Sequence, residues 1–358
     1  MACEIRGKNM TVKVNHKDIW QFVSDLFCAA GTPREDADLV ADVLIKADLR
    51  GVKSHGVSRI PIYIQRMELG LVNPKAELKI LHETPISAVV DGGYNLGQIT
   101  ATKAMRLAIK KAKETGVGMV SMNKSHHYGI AAYYSQMAAN EDMIGFSCAN
   151  TTALMAAPGG ASKAIGNSPF SFAFPADKQL PIVFDAACSA VAQGKIIVAN
   201  INGQKIPDNW ALDPEGNPTT DPAQALKGFL LPMAGPKGYG IAVVMEILAA
   251  VLSNADTGTH LSSIYNDLEH PQDCGNFFMA IDLKAFGDAE EFKKRLDQYI
   301  IDMKSGKKAK NTKELFMPGE IELKKEIQSL QAGIEIEEDT FAPLIELAKK
   351  YNVELKYE

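Results

Sequence analysis

The stretch Ser54-His55-Gly56-Val57-Ser58-Arg59 sets a proton carrier and a fixed cation four residues apart. Continued as a helix over residues 54–67, this spacing puts His55 and Arg59 on one face, one turn apart, with Tyr63 four further on. An imidazole can supply or accept a proton on oxygen. A guanidinium can hold a carboxylate with a two-pronged contact. Hydride chemistry on a 2-oxo or 2-hydroxy acid needs both. The plain alternative is a capped helix whose His and Arg are solvated, so the surrounding chain has to decide.

Upstream, Ile19, Trp20, Phe22, Val23, Leu26 and Phe27 recur at helical spacing within residues 15–50. Gly31 stops that helix. Thr32-Pro33-Arg34-Glu35 reads as a capping box with Pro at the first helical position. A second helix then runs to about Arg50, and a third carries the central stretch to about Gly70. After Pro74 the pattern changes. Leu78–Leu81 and Ile86–Val90 read as strands ahead of a turn at Asp91-Gly92-Gly93. Ala101–Thr115 reads as a helix, Met119–Met122 as a strand, Ile130–Asn140 as a helix and Ile144–Ala149 as a strand. Phe170–Phe174 and Ile182–Phe184 are two more strands, and a helix falls within Ala190–Asn200. Tyr239–Leu252 reads as the longest buried helix. Asn276–Ile281 reads as a strand and Ala289–Met303 as a helix. The end, from about Pro318 to Tyr351, reads as helical. The expected fold class is α/β. An inserted mixed-sheet α/β domain of non-Rossmann type spans 76–309, and a helical domain is formed by both chain ends, 1–75 and 310–358.

A chain of 358 residues fits about two domains. Its 46% hydrophobic and 23% charged residues are those of a soluble globular protein. The net charge of −5 offers no basic excess to neutralise phosphates, which argues against nucleic acid. The Lys-rich run Lys304–Lys313 lacks interleaved aromatics and reads as a solvated loop. Five scattered cysteines without a CxxC pair fit a reducing, cytoplasmic compartment better than disulfides or zinc. Met1–Val12 has no long apolar core, so no signal peptide is expected. The apolar run Ile241–Leu252 is too short to span a bilayer and carries Glu246.

No GxGxxG follows a strand, and neither a Walker A sequence, a GxSxG elbow nor an HExxH is present. The chain has instead a series of glycine- and proline-marked turns beside polar residues. Ser125-His126-His127-Tyr128-Gly129 follows a strand and opens a helix, where an imidazole is well placed as a proton carrier. Two neighbouring histidines do not face one metal site on a regular element. Gly159-Gly160 and Gly166-Asn167-Ser168-Pro169 bracket a loop that a pyrophosphate could approach, though turn geometry alone also demands glycine. Asp185 in Phe184-Asp185-Ala186-Ala187 ends a strand, where it either holds ribose hydroxyls or caps a helix. Lys237 in Gly235-Pro236-Lys237-Gly238-Tyr239-Gly240 could meet a phosphate at a helix start. Phe316-Met317-Pro318-Gly319-Glu320 makes a similar turn.

Taken together, SHGVxR, HYG, GNSPFSFAFP, FDAA, IPDNWALDPEGNPTTDP, GPKGYG and FMPGE resemble, in order, the type 2 malate/L-lactate dehydrogenase family. The resemblance covers roughly residues 10–345. That family also includes ureidoglycolate dehydrogenase, sulfolactate dehydrogenase, diketogulonate reductase and a cyclic imine reductase. The resemblance implies a fold unrelated to the Rossmann domain, NAD(P)-dependent oxidoreduction of 2-hydroxy acids, and a homodimer. His55 resembles the proton donor and Arg59 the carboxylate clamp, with Ser54 and Tyr63 lining the substrate site. His127 matches a second histidine that could be the acid/base. Thr151, Asp185-Ala186-Ala187, Lys237 and Pro318-Gly319-Glu320 resemble dinucleotide contacts. The ureidoglycolate branch has an aspartate where this chain has Thr152. That disfavours an amide-bearing substrate and favours a small dicarboxylate or lactate-like acid.

The resulting expectation is an NAD-dependent dehydrogenase acting between malate and oxaloacetate or lactate and pyruvate, with NADP as the alternative cofactor and no metal. Other readings are an NADP-dependent reductase of another 2-oxo acid or cyclic imine, and a non-catalytic dinucleotide-binding regulator.

Overall fold

The computed structural model describes residues 11–357; Cys3, and the part of Met1–Val12 up to Met10, lie outside the described residues. In chain order the elements begin with β1 (Thr11–Val14), α1 (His16–Ala29), α2 (Arg34–Leu49), α3 (Ile60–Glu68), β2 (Lys79–Glu83), β3 (Ser87–Asn95), α4 (Gly97–Thr115), β4 (Val117–Ser125), α5 (Ala131–Ala139) and β5 (Met143–Ala149). They continue with β6 (Met155–Ala156), β7 (Lys163–Ile165), β8 (Phe170–Phe174), β9 (Ile182–Ala186), α6 (Gln193–Ile201), β10 (Ala211–Leu212), α7 (Pro222–Lys227), β11 (Phe229–Leu230) and α8 (Pro236–Glu246). The last are β12 (Cys274–Asp282), α9 (Ala289–Lys304), α10 (Glu320–Ala332), β13 (Ile334–Glu337) and α11 (Glu338–Tyr351). The chain divides into two compact units, one of residues up to Lys75 together with those from Ile321 onward, the other Ala76–Glu320.

In the first unit, α1 starts at Asn15, whose side chain accepts from the Lys17 amide at 2.9 Å. It buries Ile19, Phe22, Val23, Leu26 and Phe27. The expected capping box before α2 does not form: Pro33 itself is the N-cap, and Thr32 Oγ1 is buried without a hydrogen-bond partner. The helical reading from about Pro318 to Tyr351 is corrected at one place, a strand between two helices. Gly333, at φ +87°, ends α10, and β13 follows. Ile334 and Ile336 are buried while Glu335 and Glu337 are exposed, the period-two signature of a strand. β13 pairs antiparallel with β1, so that Val14 lies opposite Ile334.

The second unit is built on a seven-stranded mixed sheet in the order β2-β3-β4-β12-β5-β8-β9. β3 and β4 run parallel, and the other pairs are antiparallel. A four-stranded sheet, β10-β11-β6-β7, accompanies it. β3 does not turn at Asp91-Gly92-Gly93 as expected; it runs through, with a register shift after Asp91 and Gly93 at φ +63°. The helix expected over Tyr239–Leu252 is α8 followed by a π-helical turn, Ile247–Val251. It is neither the longest nor wholly buried, since Val244, Ile247, Val251 and Leu252 are about half exposed and α4 has 19 residues.

Helices α4 and α5 bury Met105, Ala108, Tyr134 and Ala138 against Val90, Val120, Met122 and Phe278 of the sheet. They can come this close because of two glycines. A Cβ on Gly118 of β4 would sit 1.9 Å from the Ala108 carbonyl oxygen, and one on Gly145 of β5 would sit 2.0 Å from the Ser135 oxygen. Both neighbours are backbone, which cannot step aside as a side chain can. Gly118→Ala is therefore expected to destabilise the protein by about 1–3 kcal/mol or more, as overpacking does. A lowered urea midpoint with an unchanged slope is the measurement that checks it.

Candidate functional site

The central stretch is not one helix. Two 3₁₀ turns, Lys53–His55 and Val57–Arg59, are joined at Gly56, and α3 begins only at Ile60. His55 and Arg59 are thus brought together by a loop. The Arg59 amide donates to the Gly56 carbonyl at 3.0 Å and the His55 amide to the Val52 carbonyl at 3.0 Å. Arg59 Nε donates to the Ser54 carbonyl at 2.6 Å, which fixes the guanidinium plane. Ser54 Oγ lies 2.9 Å from His55 Nδ1. Ser58 Oγ donates to the Lys53 carbonyl at 2.7 Å. Tyr63, on the first turn of α3, is buried. Burial pulls the His55 imidazole down to about 4, and the positive charge of Arg59 adds to the effect. Burial likewise lowers Arg59 from its ordinary value, while Tyr63 acts in the opposite sense.

Beneath this loop lies Asp48, in the last turn of α2. Its Oδ2 accepts from the Val57 amide at 2.8 Å. Burial raises its carboxyl to about 7, with the Val57 amide and the charge of Lys53 pulling the other way. Sequence reasoning missed Asp48. The signal was present, since Val40, Leu44 and Asp48 follow one another at i+4 on the buried face of α2.

In the second unit a chain of contacts gathers the predicted cofactor residues. Thr151 Oγ1 donates to Asn167 Oδ1 at 2.8 Å, and a Cβ on Gly166 would collide with the Thr151 oxygens at 2.1 and 2.2 Å. The Asn167 carbonyl accepts from the Cys188 amide, next to Ala187, at 2.7 Å, and the Cys188 carbonyl accepts from the Met233 amide at 2.8 Å. Met233 leads into Gly235, the N-cap of α8, beside which Lys237 is exposed. The Pro318 carbonyl accepts from the Val183 amide of β9 at 3.0 Å, and Gly319, at φ +80°, leaves no room for a Cβ against the Val183 oxygen. Asp185 Oδ2 accepts from the Ala132 amide in the first turn of α5 at 2.9 Å, so it caps that helix. Glu320 is tied down twice: Oε1 to Lys304 at 2.6 Å and Oε2 to the Met317 amide at 3.0 Å.

His127 and Thr152 are linked through two residues that sequence reasoning did not name. Thr152 Oγ1 donates to the Ser262 carbonyl at 3.3 Å, which also accepts Gln272 Nε2 at 3.0 Å. Gln272 Oε1 accepts from the His127 amide at 3.4 Å. Behind them, a Cβ on Gly97 would lie 2.2 Å from the His126 oxygen and 2.5 Å from that of His127. The predicted residues therefore form two sets: Ser54, His55, Arg59 and Tyr63 in the first unit, and the remainder in the second. Among the described residues no group of three or more His, Cys, Asp or Glu side chains could hold a metal.

The family model for malate/L-lactate dehydrogenase matches residues 14–345. The chain belongs to that family. It is 41% identical over 336 residues to an L-sulfolactate dehydrogenase of Methanocaldococcus jannaschii, covering 94% of this chain and 96% of that one. It is 38% identical to a malate dehydrogenase of Pyrococcus horikoshii, covering 96% of each. A crystal structure of malate dehydrogenase from Entamoeba histolytica superposes with a TM-score of 0.92 at 32% identity, covering 97% of this chain and 99% of that one. The protein is accordingly an oxidoreductase of small hydroxy acids that uses a nicotinamide cofactor. The second unit suits such a group: an acid and a lysine stand exposed at Asp185 and Lys237, and Gly166 and Gly319 pack the turns beside them tightly against Thr151 and Val183.

A depressed imidazole has a definite sign in stability. The folded state binds fewer protons than the unfolded chain between about 4 and 6.5, so stability from His55 is complete above 6.5 and is lost as pH falls towards 4. Wild type should gain stability relative to His55→Gln across that window and not above it. Denaturant titrations of both proteins at several pH values check this.

Proposed function

We propose that the protein is an NAD-dependent dehydrogenase of a small 2-hydroxy acid with a second acidic group, of which malate is the lead candidate. Lactate is the smaller alternative. The observation that carries this reading is the Ser54–Arg59 loop, where a neutral imidazole and a plane-fixed guanidinium sit in one braced structure. Arg59 holds the substrate carboxylate. His55, uncharged near pH 7 and hydrogen-bonded to Ser54, takes the proton of the C2 hydroxyl during oxidation and returns it during reduction. Ser54 orients the ring through Nδ1, and Tyr63 lines the substrate side. Bound nicotinamide supplies or accepts the hydride at C2. Thr151, Asp185, Ala186, Ala187, Lys237, Pro318, Gly319 and Glu320 hold or shape the cofactor's binding surface. His127 is the second candidate for the acid/base, and Thr152 a substrate contact.

Malate is supported by the named relatives, which act on sulfolactate and malate, and by Thr152 in place of an acid. NAD is supported by Asp185, which caps α5 and whose negative charge beside the cofactor would disfavour a further phosphate. A cytoplasmic homodimer completes the proposal. Cys28, Cys148, Cys188 and Cys274 are all free thiols, and Val244, Ile247, Val251 and Leu252 expose an apolar stripe that a second copy would cover.

Nicotinamide absorbance with malate, lactate and sulfolactate, each with NAD and NADP, tests the substrate and cofactor. Binding of NAD without turnover of any 2-hydroxy acid would point instead to a regulator. His55→Gln should lower kcat by about 10²–10⁴, the usual worth of a positioned general acid or base. If His127→Gln abolishes the pH dependence of single-turnover hydride transfer while His55→Gln keeps it, the two roles are exchanged. Arg59→Lys, which keeps charge but loses the fork, should raise KM for the acid by about tenfold or more and leave that for NAD unmoved.

A further inference from the structure

The loop that carries His55 and Arg59 is braced within itself by contacts between Val52 and Arg59. It is tied to helix α2 by the Val52 amide, which donates to the Ala47 carbonyl at 2.8 Å, and, at its middle, by a buried carboxylate. Asp48 is 6% exposed, and its Oδ2 meets the Val57 amide at 2.8 Å. Gly56 lies flat on it: a Cβ there would come within 2.1–2.2 Å of both carboxylate oxygens and their carbon. Gly56 has φ −94° and ψ −139°, a backbone that breaks the stretch into its two 3₁₀ turns. The absence of a side chain at Gly56 and the acid at Asp48 are two halves of one seat.

We propose that Asp48 is a positioning residue for the hydroxy-acid reaction, its carboxylate setting the orientation of His55 and Arg59 through Gly56 and Val57. It does not touch substrate. It acts because Val57 lies midway between the two functional side chains, so a shift of that amide moves both. This inference rests on the assignment of His55 and Arg59 made under the proposed function.

The test uses the full-length protein and two readouts, steady-state kinetics and the NMR titration of the His55 ring. Asp48→Ala deletes the acceptor and should cost about 10²-fold in kcat, the scale of a 1 Å misplacement. NADH affinity should stay within about twofold, because Asp48 lies outside the residues assigned to the cofactor. The His55 titration should move from about 4 towards its ordinary 6.5 as the loop opens to water. Asp48→Asn keeps shape and acceptor and should restore kcat to within about fivefold, since its amide oxygen can still take the Val57 hydrogen bond. Gly56→Ala, which leaves the acid in place but fills its seat, should reproduce the Asp48→Ala losses, and covers the case in which Asp48→Ala does not fold. Equal loss of thermal stability in Asp48→Ala and Asp48→Asn, with kcat and the His55 titration both at wild-type values, would overturn the proposal. A wild-type protein that turns over no hydroxy acid would sink the functional assignment instead, and the NMR arm would still report on Asp48.

Discussion

The second unit depends on backbone meeting backbone. Gly97, Gly118 and Gly145 each stand where any side chain would strike a carbonyl of a neighbouring segment. Two of these contacts set α4 and α5 directly on the sheet. The third presses the start of α4 against His126 and His127, so the turn bearing a candidate acid/base is located by the same close packing that makes the core. Interiors at crystal-like density transmit such constraints with little slack. The polar pair Thr100 and Ser125, whose hydroxyls lie 2.8 Å apart, adds a directional bond at the same place.

In the first unit one environment acts in opposite directions on two groups. Taking an ion out of water is costly whatever its sign. The same dryness raises the carboxyl of Asp48 and lowers the imidazole of His55. Near neutrality the acid is only partly ionised and the base is uncharged. Arg59 keeps its charge despite burial, because its ordinary value lies so far above neutrality. The loop therefore presents one permanent cation and one neutral proton acceptor, the combination suited to an anionic alcohol.

Regular elements were legible wherever one period dominated. The apolar spacing of α1 and α4 locates them within a few residues, and the strand Phe170–Phe174 is legible to its ends. Readings failed where a tertiary contact overrode the local signal. Ser54–Arg59 has helical spacing, yet Gly56 breaks the helix to seat Asp48. Thr32-Pro33-Arg34-Glu35 has the letters of a capping box, but Pro33 takes the cap position. The short alternation at Ile334–Glu337 hid between two helical patterns because its partner, β1, lies at the far end of the chain. Among the candidate residues, the motifs drew attention to His55, Arg59 and His127. They left out Asp48 and Gln272, which belong to no recognisable motif and meet Val57 and His127 through backbone amides.

The pairing of β1 with β13 also bears on how the protein is made. Thr11 lies opposite Glu337, so β1 leaves the ribosome long before the strand it pairs with. The second unit is continuous from Ala76 to Glu320 and has all its residues before β13 is made. Domains generally fold as units, in the order they emerge. Here that order is inverted for the first unit: α1 and α2 emerge before the second unit but stay without their closing strand until β13 follows it. The loop of His55 and Arg59 thus belongs to the unit that is completed after the other.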